Sequence, residues 1–431
     1  MSADAVTAVI STAVAAIGLV VAYAAFRRSL KDKGAGEQQE AAFLRVRREL
    51  KSVSARAHLE SVAKEAQREH LLAEPVPLLV RPGWIVSAPL PLDAVRVDWA
   101  EPAVTESRLS AEFQPAREVT RRYWPGAGHY RDTYHDVIER LEDPDPKLFF
   151  NGSSFRLLAV SSEPGAPGRE KFPVTLTFTA GWYFDALDTT DVLGYETAAL
   201  SLSPRQRDAA RCMRGPYRRW LGSPFDLRKR CGVPGVNTLT IRQGTPAPTF
   251  LLHERSARKV ATSQAVTHVA PAGEFQPRDL SHLAGIVDLD LWSNIAREYA
   301  EELLGLSDAQ GQSIEMRYSS RLDEVISALN DARASGGVTV WYLGAGLDPL
   351  TWKPEILTAA VFEPEVFDTL FHDMVAENDE GRFIFRDAET KSMIPFTEGN
   401  VDTSFRDTYL PAGTACLALA WRHRQALGIA S

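Results

Sequence analysis

Residues 291–305 read LWSNIAREYAEELLG, and this run decides how the chain is parsed. Its apolar residues recur at helical spacing, Asp288 or Asp290 can cap its start, and Gly305 closes it. Glu298, Glu301 and Glu302 stand at i, i+3 and i+4, so a helix puts three carboxylates on one face within a single turn. Like charges at that spacing repel and resist ionisation unless a cation joins them. Mg²⁺ takes hard oxygen ligands and completes its shell with water and substrate phosphates, so it suits such a face. The plainer alternative is a Glu-rich helix that is simply solvated.

Working outward, Val236–Ile241 and Thr249–His253 alternate like paired strands around the turn Gly244-Thr245-Pro246. Val266–Ala270 then leads into Pro271-Ala272-Gly273-Glu274, so the acidic helix follows a strand and a glycine loop. Downstream, Val338–Leu343 and Gly344-Ala345-Gly346 read as a strand and loop. A dinucleotide-binding turn is disfavoured, because the third glycine is missing and Pro349 falls where its helix would begin. Trp341, Tyr342 and Trp352 read as packing residues, and His253 and His268 as structural. Pro411 opens a last helix, whose Cys416, Leu417, Ala420 and Trp421 suit one buried face, a second helix layer on the sheet.

The acidic run in this setting resembles the Nudix box, G-x5-E-x7-R-E-U-x-E-E-x-G-U. Arg297, Glu298, Glu301 and Glu302 match R-E-U-x-E-E with Tyr299 at the apolar position, and Gly273 matches the opening glycine. The words RPGWIVSAPLPLDAV, FRLLAV, YFDALD, GVNTLTI, PAGEFQP and GAGLDPLT extend a resemblance to actinobacterial Nudix-like proteins that carry an upstream module. Membrane-tethered Nudix proteins beside nucleotide second-messenger synthases in bacterial defence are a related case. The resemblance implies that Glu298, Glu301 and Glu302 ligate Mg²⁺ or Mn²⁺, that Arg297 orients Glu298, and that Glu301, Glu302 and Arg297 are catalytic. It also implies a nucleotide-like ligand near Gly273 and Glu274, and hydrolysis of a nucleoside diphosphate linked to another group; Arg255, after the second strand, reads either as a neutraliser of substrate phosphate or as an exposed loop charge. There are two departures. Twenty-three residues separate Gly273 from Arg297 where the pattern has thirteen, leaving Glu274, Asp288 and Asp290 as open candidates for the middle glutamate, and two residues rather than one precede Gly305.

At the other end, no charge falls between Ala5 and Phe26, and Arg27, Arg28, Lys31 and Lys33 follow. This predicts a transmembrane anchor over 1–30 and a single-pass cell-membrane protein whose C-terminal part is cytoplasmic. Phe43, Val46, Leu50, Val53 and Ala57 then mark a helical stalk over 31–75, either a homodimer seam or a helix packed on its own domain. Residues 76–205, punctuated by proline, read as a small α+β module, and 206–431 as a Nudix-like α/β/α sandwich with insertions; the fold class is α+β. Between Arg205 and Arg230 the basic residues form either a phosphate-holding connector or a solvated face with ion pairs.

A net charge of −8 argues against a nucleic-acid binder, which needs a clustered positive surface. Three dispersed cysteines and nine dispersed histidines offer no zinc or serine–histidine spacing. The functional expectation is a Mg²⁺-dependent, membrane-anchored Nudix-type hydrolase. Its alternatives are a catalytically weak nucleotide-sensing or effector protein and a regulatory scaffold.

Overall fold

The computed structural model describes residues 36–71, 76–102, 109–124, 132–146, 149–162, 172–202, 209–255, 266–280, 286–306, 320–377, 381–386, 393–402 and 409–429. Among the described residues thirteen strands run, in order, β1 (Ile85–Pro91), β2 (Val95–Trp99), β3 (Ser153–Ser161), β4 (Val174–Trp182), β5 (Gly235–Arg242), β6 (Thr249–Phe250), β7 (Leu252–Arg255), β8 (Val266–Val269), β9 (Ala272–Glu274), β10 (Val338–Leu347), β11 (Pro354–Phe362), β12 (Gly381–Ile384) and β13 (Ile394–Pro395).

The largest sheet is ordered β1-β10-β11-β5-β6-β13. Strand β5 shares one edge between two partners: Ile241 and Arg242 pair with β6, while Gly235, Val236 and Asn237 pair with β9. Its other edge runs parallel to β11. Alternation along these strands feeds two cores, one on each face. Val236, Ile356, Ala360 and Phe362 meet the helix Leu291–Glu298 and Tyr299 on one face. Leu239, Ile241, Leu357 and Ala359 meet the helix Pro411–Arg422 on the other, through Ala415, Cys416 and Leu419. The hydroxyl of Tyr299 lies 2.7 Å from that of Thr240, which gives two buried polar groups a mutual partner. These two helix layers match the sequence expectation around the acidic helix.

The N-terminal expectation is corrected. Among the described residues no helix is long and apolar enough to cross a membrane, so neither the membrane-anchored fold nor the single-pass location is carried forward. The stretch 5–26 lies outside the described residues. Of the two readings of residues 31–75, the helix packed on its own domain is the one seen: a helix over 36–51 lays Phe43, Val46 and Leu50 into the chain's own core. Arg47 fastens it, donating from Nε to Glu142 at 2.6 Å and from Nη1 to the Tyr134 hydroxyl at 3.0 Å.

The remaining strands form two three-stranded sheets, β12-β7-β8 and β2-β4-β3. Strand β3 carries chain from 76–205 to the neighbourhood of the acidic helix: Phe155 N–H donates to Phe275 O at 3.1 Å and Ser153 N–H to Leu280 O at 2.9 Å. Phe275 is fully buried, its ring centroid 4.7 Å from that of Phe155 and 5.0 Å from that of Phe178. Strand β1, also from 76–205, pairs antiparallel with β10 in the largest sheet. In the basic stretch 205–230, Arg211, Arg214, Arg219, Arg228 and Lys229 are exposed and Lys229 lies 3.7 Å from Asp226, as the solvated-face reading expects, whereas two arginines depart from it. Arg218 and Arg230 are buried against Trp352, at 4.7 and 5.6 Å from its ring centroid, and burial pushes both guanidinium pKa values down to about 10.

Candidate functional site

Asp290 caps the acidic helix, its side chain accepting from the Ser293 N–H at 2.7 Å and from the Ser293 hydroxyl at the same distance. The α-helix extends from Leu291 to Glu298 and continues as one wider π turn, Tyr299–Leu303, before Gly305 takes a positive φ of 66°. A π turn closes at i→i+5, so residues four apart do not stack as they do in an α-helix. The three glutamates accordingly meet different neighbours.

Glu298 lies over Gly273, where a Cβ built on the glycine would overlap the carboxylate. A Cβ at Gly273, which sits within strand β9, would have to displace that carboxylate, the movable end of a long side chain. Glu302 is almost completely enclosed and accepts from the Ala272 N–H at 3.2 Å, with His253 Nδ1 at 4.0 Å from its other oxygen. Glu301 is the most exposed of the three, at 21% of its side chain. Arg297 lies between Glu298 and Glu301, at 3.8 Å from Oε1 of the first and 3.6 Å from Oε1 of the second. Its Nη2 makes closer contacts with neutral acceptors, Asn294 Oδ1 at 2.8 Å and Gln276 O at 3.2 Å.

Glu274 points the other way. Successive strand residues face opposite sides, so Gly273 faces the acidic helix while Glu274 meets Lys353, whose Nζ donates to it at 2.7 Å. Glu274, Gly235 and Glu355 lie in register across β9, β5 and β11. Burial pushes the Glu355 carboxyl up to about 7 and that of Asp191, which also faces Lys353, up to about 6. Burial works against the charged form of Lys353, but Glu274, Glu355 and Asp191 around it outweigh that and hold its pKa above the ordinary value. Asn237 extends the network, donating to Glu355 at 2.8 Å while its Oδ1 lies 2.8 Å from His268 Nε2.

The structure thus brings Gly273, Arg297, Glu298, Glu301 and Glu302 to one end of the sheet and sets Glu274 on its far face. Arg255 ends strand β7, and its side chain lies outside the described residues. Asp288 Oδ2 accepts from the Arg278 N–H at 3.3 Å, and Asp290 is occupied as the cap, so both have local structural work. Sequence reasoning passed over Asp279, which follows Gly273 after five intervening residues, where the box resembled here carries its first acid. Counting forward from the glycine instead of back from Arg297 would have found it. It also passed over Asn294, whose partners are Arg297 one turn on and Gln276 in the loop after β9, and Lys353, whose partner Glu274 is visible only once β9 is placed.

Among the described residues no three acidic, histidine or cysteine side chains converge as a ready ligand set for a metal ion. Mg²⁺ needs no such cage. It is commonly held by one or two carboxylates together with substrate phosphates and water, and Glu298 and Glu301, flanking one guanidinium, supply hard oxygens in that number. No protein-family model matches the chain, and no curated protein matches it in sequence.

Proposed function

We propose that this chain is a Nudix-type hydrolase of a nucleoside diphosphate linked to a second group, dependent on Mg²⁺ or Mn²⁺. The observation that carries the reading is the seating of Glu298 on Gly273, next to a guanidinium held by neutral acceptors. Glu298 and Glu301 would hold the cation with the ligand's phosphates, and Glu302, bonded to the Ala272 N–H, fixes the helix against β9. When bound, the metal supplies charge neutralisation of the pyrophosphate and a more acidic water. Arg297 keeps the two carboxylates apart and offsets their mutual repulsion. The test is incubation of the full chain with Mg²⁺ and a panel of dinucleotides and nucleotide sugars. Turnover that falls at least ~100-fold in Glu298→Gln and Glu301→Gln supports the reading; turnover that those variants leave unchanged, or none on any compound, removes it.

A second reading is a nucleotide sensor that binds at the same face with little hydrolysis. It is favoured by the backbone bonds from Phe155 and Ser153 to Phe275 and Leu280, which join the loop after Gly273 rigidly to the part of the chain upstream. Calorimetric binding of a nucleotide with Mg²⁺, without product, separates it from the hydrolase.

A further inference from the structure

A net charge of −8 does not say where the charges lie, and one corner of the molecule gathers cations that the chain leaves largely unneutralised. The helix Pro216–Leu221 exposes Arg219 and Trp220 and ends at Gly222, whose φ of 78° turns the chain back. The returning turn, Leu227–Lys229, exposes Arg228 and Lys229, and Lys229 Nζ donates to the Leu221 carbonyl at 3.2 Å, which ties the turn to the helix end. Arg81 joins from outside the stretch, its guanidinium carbon 5.5 Å from the Phe225 ring centroid. Trp220 is 36% exposed, and the fully buried Tyr217 ring backs it with the two planes 13° apart.

Exposure by itself fits a solvated face. Two observations set this corner apart. Several exposed arginines elsewhere lie against carboxylates, Arg321 at 3.5 Å from Asp373 and Arg382 at 2.8 Å from Glu254. Among the described residues Arg81, Arg219 and Arg228 have no such partner, and Asp226, 3.7 Å from Lys229 Nζ, is the single carboxylate in ion-pair range of the four cations. Beneath the turn lies Arg230, fully enclosed, donating from Nη1 to Asp226 O at 3.2 Å and from Nη2 to Pro224 O at 2.6 Å. No carboxylate among the described residues pairs with it. A buried cation held only by carbonyls is poorly screened, and it adds to the positive potential at the surface above.

We propose that this corner is a docking surface for a single strand of nucleic acid, whose phosphates meet Arg81, Arg219, Arg228 and Lys229 while a base stacks against Trp220. Lys229 Nζ stands 5.8 Å from the Trp220 ring centroid, so a phosphate on the lysine sits beside the indole. A single strand suits cations paired with an aromatic platform because its bases offer their faces, whereas a duplex keeps its bases stacked on one another. An anionic bilayer carries the same kind of charge but needs apolar side chains to bury, and the exposed residues beside Trp220 are Gly222, Ser223 and the cations. The surface is independent of the hydrolase reading. It reverses the expectation drawn from overall charge, because binding responds to local potential.

The probe is a fluorescently labelled thymidine strand of about 16 nucleotides, titrated into the full chain between about 50 and about 200 mM salt and read by anisotropy. A duplex of the same length and phosphatidylserine vesicles form parallel arms. Arg219→Glu combined with Arg228→Glu should weaken binding at least ~10-fold and flatten the slope of log affinity against log salt by about 1.4, at about 0.7 per phosphate contact. Trp220→Ala should weaken it about 5- to 100-fold with the slope kept, and Trp220→Phe should recover most of that loss. Arg321→Glu, a charge reversal outside the corner, should leave affinity unchanged. The altered side chains are exposed, so each variant should melt as the parent does. No binding of the strand at about 50 mM salt overturns the proposal, as does binding that the double reversal leaves unchanged or that Arg321→Glu weakens equally. Equal affinity for duplex and strand with Trp220→Ala silent overturns it in favour of a surface that reads phosphate alone. Capture by vesicles without binding of the strand overturns it in favour of a membrane.

Discussion

Two described helices widen into a π turn, Leu187–Asp191 and Tyr299–Leu303, and each carries clustered carboxylates at or just before it. They hold those acids in opposite ways. At the first, Asp185 and Asp188 are sealed from solvent and share Arg117, whose Nε donates to Asp188 at 2.8 Å and whose Nη2 donates to Asp185. The His135 N–H adds a bond to Asp188 at 3.0 Å and the Ser110 hydroxyl one to Asp185 at 2.7 Å. At the second, the guanidinium stands back from Glu298 and Glu301 and binds neutral oxygens instead. An acidic cluster whose oxygens take short bonds from a buried arginine ties elements together, whereas the arginine beside Glu298 and Glu301 makes its hydrogen bonds to neutral oxygens.

The largest effect expected from this contrast is on folding. Arg117→Leu leaves two enclosed carboxylates without their cation and should cost roughly 3–5 kcal/mol, read as a lower urea midpoint. Arg297→Leu should cost less than half as much. Equal losses would end the distinction between the two turns. Next in size, Gly273→Ala drives a methyl group into the Glu298 carboxylate and should weaken Mn²⁺ binding about 10–100-fold, the usual range when the support of a ligand is disturbed. The matching change at the other turn, Ser110→Ala, should leave Mn²⁺ affinity untouched.

A smaller effect links the regions through Lys353, which Asp191 of the first turn and Glu274 of β9 both face. Asp191 and Glu355 titrate higher in the folded chain than in the unfolded one, at about 6 and about 7 against 3.8 and 4.5. The folded state therefore binds more protons in that interval, so their contribution is full below about pH 4 and is lost as pH rises through 6 to 7. Glu355→Gln should flatten this slope and be more stable than the parent by about 1 kcal/mol at pH 8 while matching it at pH 4, seen in melts across pH. A parent that gains stability between pH 5 and 7 relative to Glu355→Gln contradicts the assignment. The smallest effect is a control at the surface: Arg242 and Asp368 make a two-pronged exposed pair, with bonds of 2.7 and 2.6 Å. Asp368→Asn should cost no more than about 0.5 kcal/mol, a difference that disappears at high salt.

How far the sequence could be read follows the range of the interactions involved. The helix from Leu291, a cap at Asp288 or Asp290, its close at Gly305 and the neighbouring strands were legible because period and capping are local; the structure chooses Asp290 as the cap. The π turn was not, since the i, i+3, i+4 argument presupposes α geometry and nothing in YAEEL announces a wider turn. Pairing of β1 with β10 and of β5 with β11 joins segments more than a hundred residues apart, beyond any periodicity. Resemblance to the box pointed to Gly273 in spite of the spacing, and what the structure adds there, a Glu298 carboxylate close over the glycine, is a contact between strand and helix. Lys353 looks ordinary in sequence and acquires its partner only from the strand laid beside it. The apolar stripe at Phe43, Val46 and Leu50 was correctly seen as a helix face, and only tertiary contacts decide that its partner is the chain itself.

The placement of β1 has a practical consequence. Residues 85–91 run along β10, and Ser153 and Phe155 hold Leu280 and Phe275, so the first and second halves of the chain are interleaved. A protease that nicks the backbone between residues 202 and 209 should therefore release nothing under native conditions, and the two fragments should co-elute. Expressed alone, the later fragment would present the bare flank of β10 to other copies and be prone to aggregate through it.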